Sequence, residues 1–214
     1  MKLDNIFEMS YCINLDKRKD RWEACDKEFY KLNFYPERFS AIENTNPVLG
    51  CYLSHLEILK RARDANKSVL IFEDDVEIIN FEEKLIEKAL DELYYMDWWM
   101  LYLGANLMRP CYEVTDHLAQ LTHAQSTHAY GVNKKYLPQI INFIENNHTF
   151  IDVIYAEGIV PQTPCFITIP MMAIQRTDFS DIENREMNYD LPIQRYKRQL
   201  VRKKKEFKYD NNSV

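Results

Sequence analysis

Apolar residues recur along this chain at two spacings, and the switches between them mark out its elements. Residues 6–15 are mostly apolar and predict a first strand that ends in Asn14-Leu15-Asp16. Residues 17–31 are charged, with Trp22, Cys25 and Phe29 at helical spacing and Asp16 where an N-cap is useful. Residues 34–42 predict a second strand, which Pro36 places at an edge or starts late. Pro47 opens a helix in which Leu49, Tyr52, Leu53, Leu56 and Leu59 form one apolar stripe. Residues 68–72 form a short strand whose Val69, Leu70, Ile71 and Phe72 are all apolar. A strand apolar on both faces belongs in the middle of a parallel sheet.

A helix over 81–96 and a strand over 98–103 follow. Short strands are expected at 111–115, 121–125 and 127–132, helices at 133–146 and 150–158, and a last strand at 166–171. From Leu191 a basic helix runs into a polar end. Strand and helix alternate in the first half and mixed strands follow, which is the pattern of an α/β sheet with some antiparallel strands, flanked by helices. The chain shows no internal repeat and no low-complexity linker. One domain is therefore expected over 1–190, with a basic helix and tail over 191–214.

A chain of 214 residues can bury one sizeable core. It holds only four glycines, and neither G-x-G-x-x-G nor G-x-x-x-x-G-K occurs. A glycine-rich cradle for phosphates is thereby excluded, and a metal ion is the natural substitute. Net charge is −6, unevenly spread. From Arg195 onward eight Lys/Arg face two Asp/Glu, a net of +6, which leaves −12 on the rest. An acidic body suits a cation and repels nucleic acid. Five cysteines without a C-x-x-C pair fit neither a zinc site nor a disulfide framework. With no signal-peptide pattern and no apolar run of membrane-spanning length, a cytoplasmic protein is expected.

The chemistry gathers where Val69-Leu70-Ile71-Phe72 runs into Glu73-Asp74-Asp75. Removing one such carboxylate from water costs several kcal/mol, and folding alone gives no reason for the cost. Mg²⁺ or Mn²⁺, which select hard oxygen ligands, does. Ligands of open α/β sheets also gather beyond the carboxyl ends of strands. If the strand stays extended, Glu73 and Asp75 point one way and Asp74 the other, dividing the cluster between the metal and ribose or sugar hydroxyls. The alternative is a solvated turn into the next helix.

Four segments in this order resemble glycosyltransferase family 25, which includes lipooligosaccharide galactosyltransferases and those that modify collagen hydroxylysine. They are Ile13-Asn14-Leu15-Asp16 with Arg18 and Arg21; Gly50-Cys51-Tyr52-Leu53-Ser54-His55; Leu70-Ile71-Phe72-Glu73-Asp74-Asp75-Val76; and Thr127-His128-Ala129-Tyr130. A weaker fifth is Gln175 with Ser180-Asp181-Ile182. The resemblance implies a GT-A-like fold, a UDP-sugar donor and inversion at the anomeric carbon. The acidic triplet then plays the metal-binding D-x-D part, with Asp75 the principal ligand and Asp74 beside it or on the ribose. Asn14, Arg18 and Arg21 would grip the nucleotide, or simply begin a solvated helix.

Inverting transfer needs a base, and Asp152, an acid in an apolar stretch before a helix, is the candidate, with Glu157 in reserve. Helix capping is the other reading of Asp152. His55 reads as a hydrogen-bonded packing histidine. His123 and His128 could face the cleft with no carboxylate at metal spacing, and His117 and His148 read as surface. Tyr94, Tyr95, Trp98, Trp99 and Tyr102 read as core, with stacking on a sugar or base as the alternative. The basic end fits a solvated terminal helix, peripheral contact with an anionic membrane, or an acidic partner.

The expected protein is a Mn²⁺- or Mg²⁺-dependent inverting glycosyltransferase moving a hexose, such as galactose or glucose, from a UDP-sugar to a glycan, lipid-linked glycan or protein hydroxyl. Two rivals stand beside it. One is a catalytically silent relative acting as a binding module, and the other is a metal-dependent nucleotidyltransferase or phosphohydrolase.

Overall fold

Val69–Glu73 (β3) is the axis of a computed structural model of the chain, which describes residues 1–176, 178–180, 185–187 and 190–203. Its four apolar residues are each fully buried. Val69 and Ile71 enter one core with Tyr52, Leu56, Leu59, Ile140 and Ile144, while Leu70 and Phe72 enter a second with Cys25, Phe29, Leu90 and Leu93. Burying such a side chain stabilises the fold by about 1.5–3 kcal/mol. The strand is covered on both faces as expected, although one of its two neighbours runs antiparallel where a parallel sheet was expected.

Before β3 come a short helix α1 (Leu3–Ile6), β1 (Met9–Asn14), α2 (Lys19–Leu32), β2 (Glu37–Ser40) and α3 (Pro47–Ala65). After it come β4 (Val76–Ile78), α4 (Glu83–Tyr94), β5 (Met100–Tyr102), β6 (Asn106–Leu107), β7 (Cys111–Glu113), β8 (Leu118–Gln120), β9 (Ala124–Gln125) and β10 (Ala129–Val132). Helices α5 (Leu137–Glu145) and α6 (Ile151–Ile154), with a π-helical turn over Tyr155–Ile159, lead to β11 (Cys165–Thr168) and β12 (Ala173–Gln175). The described remainder is β13 (Asp178–Ser180), β14 (Arg185–Met187), α7 (Asp190–Gln199) and β15 (Leu200–Val201).

Among the described residues the main sheet has the order β15-β7-β8-β11-β5-β10-β3-β1-β2. Strands β2, β1 and β3 are parallel, β10 runs against β3 and β5, and β8 runs against β11 and β7. This mixed sheet flanked by helices is the expected α/β class. The reversal at β10 matters for function: Ala129 pairs with Phe72, so the residues just before β10 lie beside the carboxyl end of β3. A separate ribbon pairs Val76 of β4 with Gln175 of β12 and brings Gln175 to the acidic triplet.

Local signals set α3. Asn46 accepts hydrogen bonds from the N–H groups of Val48 and Leu49, Pro47 occupies the first turn, and Asn66 closes the helix at φ 52°. The stripe is rotated from the expected one. Leu49 is exposed, and Ser54 and His55 are buried beside Tyr52, Leu56 and Leu59. Asp16 does not cap α2; it accepts from Arg38 and Ser40, and Arg18 holds the cap position. The expected strand over 121–125 shrinks to β9 at its end, and β8 forms just before it, while β4 and β12, too short for a period to register, were not foreseen. Tyr94 and Tyr95 are exposed, whereas Trp98 and Tyr102 are core residues as expected.

The basic helix is α7. Its Tyr196 is buried and donates to the Thr168 carbonyl at 3.1 Å, and β15 then joins the sheet edge beside β7. Residues 204–214, with Asp181 and Ile182, lie outside the described residues. Among the described residues no helix is long and apolar enough to cross a membrane.

Gly104 follows β5 where a Cβ would fall 1.8 Å from the Ala173 carbonyl oxygen. The Ala173 backbone on one side and the buried His128 imidazole, 2.6 Å away, on the other leave little to yield. Gly104→Ala is expected to destabilise the protein by about 3 kcal/mol, read as a lowered urea midpoint at unchanged slope.

Candidate active site

The acidic triplet does not continue the strand. β3 stops at Glu73, and Asp74-Asp75 form a turn into β4, so three successive carboxylates leave in three directions. They floor a cleft of about 290 Å³ whose walls include Arg21, Cys51, Ser54, His55 and Gln175.

Glu73 turns toward α3. Its Oε1 accepts from Thr127 Oγ1 at 2.5 Å and meets His55 Nε2 at 3.2 Å. His55 is fully buried, and its Nδ1 lies 2.8 Å from the Tyr130 hydroxyl, which reaches Tyr155 at 3.2 Å. Burial pushes the Glu73 carboxyl up, but the His55 and Thr127 contacts prevail and hold it below its usual value.

Asp74 turns toward α2. Oδ1 accepts from Arg21 Nη1 at 3.0 Å and Oδ2 from Asn14 Nδ2 at 2.7 Å, with both members of the ion pair almost wholly buried. Burial nonetheless raises the Asp74 carboxyl, with Arg21 and Asn14 opposing. Asn14 also donates to the Arg18 carbonyl at 2.9 Å and accepts from Arg38 Nε. Asn14 and Arg21 therefore meet at Asp74. The Arg18 guanidinium bonds Asp20, and its carbonyl joins the network through Asn14. Beyond Asn14 lies a more open hollow lined by Asp16, Lys19, Trp22 and Arg38.

Asp75 is the poorly partnered member. Oδ2 accepts one long hydrogen bond from Gln175 Nε2 at 3.4 Å, and the buried Oδ1 has no hydrogen-bond partner among the described residues. Burial first, then Glu73 and Asp74, raise its carboxyl to about 8. A divalent cation would supply the missing charge, so the donor set at Asp75 fits a hard metal ion.

Asp152 is tied to Asp75 through two side chains. Its Oδ2 accepts from Ser126 N–H at 3.3 Å, Ser126 Oγ donates to Gln175 Oε1 at 3.1 Å, and Gln175 holds Asp75. Ser126 takes φ 75°, a strained value for a serine. Asp152 is not the α6 cap, which falls at Phe150, although its Oδ1 accepts from Val153 N–H within the first turn. Burial raises its carboxyl. The reserve acid Glu157 is largely exposed and lies 3.0 Å from His123 Nε2, so His123 does have a carboxylate partner. His128 is buried beside the Ala173 carbonyl, and burial lowers it to about 4. His117, expected at the surface, is half-buried on Glu92.

The family model described as glycosyltransferase family 25 (LPS biosynthesis protein) matches residues 43–154, a span that includes α3, the triplet and Asp152. The chain belongs to glycosyltransferase family 25. Among family-25 relatives it is similar to procollagen galactosyltransferase 2 of Homo sapiens, 25% identical over 134 residues, covering 48% of this chain and 21% of that protein. Procollagen galactosyltransferase 1-A of Xenopus laevis matches at 25% over 134 residues, covering 48% and 22%. Procollagen galactosyltransferase 2 of Mus musculus matches at 21% over 181 residues, covering 70% and 26%. The chain thus spans about a quarter or less of the length of these relatives. Solved structures similar to it include A197 from STIV, with TM-score 0.44, 9% identity and coverage of 79% of this chain and 94% of that one. Another is a glycosyltransferase involved in glycosylation of the major capsid of PBCV-1, with TM-score 0.46, 10% identity and coverage of 74% and 80%.

Sequence reading did not foresee the parts played by Ser126 and Arg176. Arg176 donates from its backbone N–H to the Asp75 carbonyl and from Nη2 to that of Asp74. The one available signal was Gln175 in the weakest segment of the family-25 resemblance.

A pH dependence follows from Asp75. Its carboxyl sits near 8 in the folded chain against an ordinary 3.8, so its proton stabilises the fold below pH 4 and that stability is lost as pH rises toward 8. In metal-free buffer, Asp75→Asn is expected to melt several degrees above wild type at pH 8, with the gap closing toward pH 5. A melting series across that range, in a chelator, reads it.

Proposed function

We propose that this chain transfers a hexose from a UDP-sugar to a hydroxyl of a glycan, lipid-linked glycan or protein, with inversion and with Mn²⁺ or Mg²⁺. The observation that carries the reading is Asp75, a half-buried carboxylate whose buried Oδ1 has no hydrogen-bond partner among the described residues, at the floor of a cleft. Membership of glycosyltransferase family 25 supports sugar transfer, and relatives named as procollagen galactosyltransferases favour galactose among hexoses.

In this reading Asp75 is the principal metal ligand, with Asp74 beside it. A divalent cation held there would act as a Lewis acid toward the charge that grows on the departing nucleoside diphosphate. Asp74, already bonded by Arg21 and Asn14, keeps the turn in place and leaves its remaining lone pairs to the metal or the ribose. Arg21 and Lys17 line the cleft and add positive charge where a diphosphate would lie, while Arg176 braces the turn from the other side. Arg18 supports the nucleotide end through the carbonyl that Asn14 grips.

The base is Asp152. A carboxylate relieved of hydration and raised above its ordinary value accepts a proton more readily than an exposed one, and two backbone N–H groups fix its oxygens. It takes the acceptor hydroxyl's proton as the new glycosidic bond forms. The Ser126-Gln175 link keeps base and metal ligand in register, as positioned in-line chemistry requires. Glu73 stands near the sugar hydroxyls, oriented by His55 and Thr127.

Two measurements test this. A panel of nucleotide sugars with Mn²⁺ should show one UDP-sugar that stabilises the protein and is slowly hydrolysed. A flat panel excludes transfer in favour of a silent binding module, and a larger shift with an NTP favours a nucleotidyltransferase. Asp152→Asn should then lower turnover by about 10²–10⁴-fold and leave the donor-induced melting shift intact. Near-normal turnover removes Asp152 from the role.

A further inference from the structure

Cys51 and His55 stand one helical turn apart on α3, so both side chains emerge on the same face. That face meets Glu73 at the end of β3. One ligand atom from each of Cys51, His55 and Glu73 lies within 4.8 Å of the others, and His55 Nε2 is 3.2 Å from Glu73 Oε1. A shared ion at Zn–S of about 2.3 Å and Zn–N or Zn–O of about 2.0–2.2 Å separates such atoms by roughly 3.4–3.6 Å. A movement of about 1 Å closes the set.

We propose that Cys51, His55 and Glu73 form a second metal site, selective for Zn²⁺ or Co²⁺ and chemically distinct from the oxygen site at Asp75.

The surroundings are those of a ligand set. His55 Nδ1 is engaged by the Tyr130 hydroxyl at 2.8 Å, which is stacked against the imidazole and backed by Tyr155. An outer partner of this kind fixes which ring nitrogen faces a metal. On metal binding the imidazole proton sits on Nδ1, donated to Tyr130, in place of the Nε2–H hydrogen bond to Glu73, and Nε2 presents its lone pair. Thr127 orients Glu73 in the same way from the far side. Burial first, and then the Glu73, Asp152 and Asp75 carboxylates, raise the Cys51 thiol well above its usual value, and the same carboxylates make a field that favours a cation. Binding releases the Cys51 thiol proton to solvent and forms the metal–sulfur bond. A thiolate, an imidazole and a carboxylate make a borderline-soft set that prefers Zn²⁺ or Co²⁺ to Mg²⁺. All three residues line the cleft, so a fourth position would open onto it, the arrangement of three-ligand zinc sites that take a water or substrate atom.

Cys51 is also the one cysteine of the five that is not fully buried, which makes its thiolate the accessible reporter. The full chain, reduced and metal-free, is titrated with Co²⁺. Wild type is expected to take one equivalent with thiolate-to-cobalt charge-transfer absorption that Zn²⁺ abolishes. Cys51→Ser should lose that absorption and bind Zn²⁺ at least tenfold more weakly, while Asp75→Asn keeps both. Cys51→Ala serves as a second thiol-free variant, and circular dichroism establishes the fold of each. Absence of the band in wild type, or its survival in a folded Cys51 variant, overturns the proposal. Its loss in Asp75→Asn overturns it too, because the metal would then sit at the Asp75 site. Because Asp75→Asn retains the band, failure here and failure of the UDP-sugar reading are separate results.

Discussion

Three consecutive carboxylates at the end of a strand buried on both faces are the constraint from which the rest of this cleft follows. Each charge taken out of water costs several kcal/mol, and successive residues cannot share one remedy. Glu73 is answered by His55 and Thr127, and Asp74 by Arg21 and Asn14. Among the described residues the Asp75 carboxylate receives one hydrogen bond, from Gln175 at 3.4 Å. Among the described residues the sheet and its helices thus supply compensation for two of the three and leave the third with one long hydrogen bond. A fold selected for stability alone would place an asparagine at Asp75.

Strand direction decides how those partners arrive. Because β10 runs against β3, its leading residues Ser126 and Thr127 stand at the carboxyl end of β3, where an all-parallel sheet would put a strand's exit. Thr127 bonds Glu73 at once, and Ser126 bridges Asp152 and Gln175. The left-handed conformation of Ser126 costs about 1–3 kcal/mol and is retained where its N–H, hydroxyl and neighbour Asn106 are all engaged. The β4–β12 ribbon does the corresponding work on the other side by setting Gln175 and Arg176 against the turn.

The two helices beside the cleft contribute different chemistry. α2 brings a guanidinium to an acid, and Asn14, itself held by Arg38, bonds the same acid. α3 brings a thiol and an imidazole from one turn, off the flank of the apolar stripe read from the sequence. Membership of glycosyltransferase family 25 accounts for the acidic triplet and the helix that faces it, both within the matched span.

Much of this was legible in the order of residues, because its causes are local. Val69 to Phe72 is apolar without interruption, so β3 had to be covered on both sides, and Asn46-Pro47 marked the start of α3 by hydrogen bonding and a preset φ. The triplet after β3 stood out for the same reason: its cost is a property of three adjacent residues. The tertiary structure decided the partners. His55, Thr127 and Gln175 reach the triplet across separations of 18, 54 and 100 residues, and no periodicity carries information over such distances. Leu49 matches the stripe yet lies exposed, and Asp16 suits a cap yet bonds Arg38, because in each case a distant segment determines which side of the element is covered. Periodicity identifies an element and its apolar face; only packing determines which polar group meets which charge.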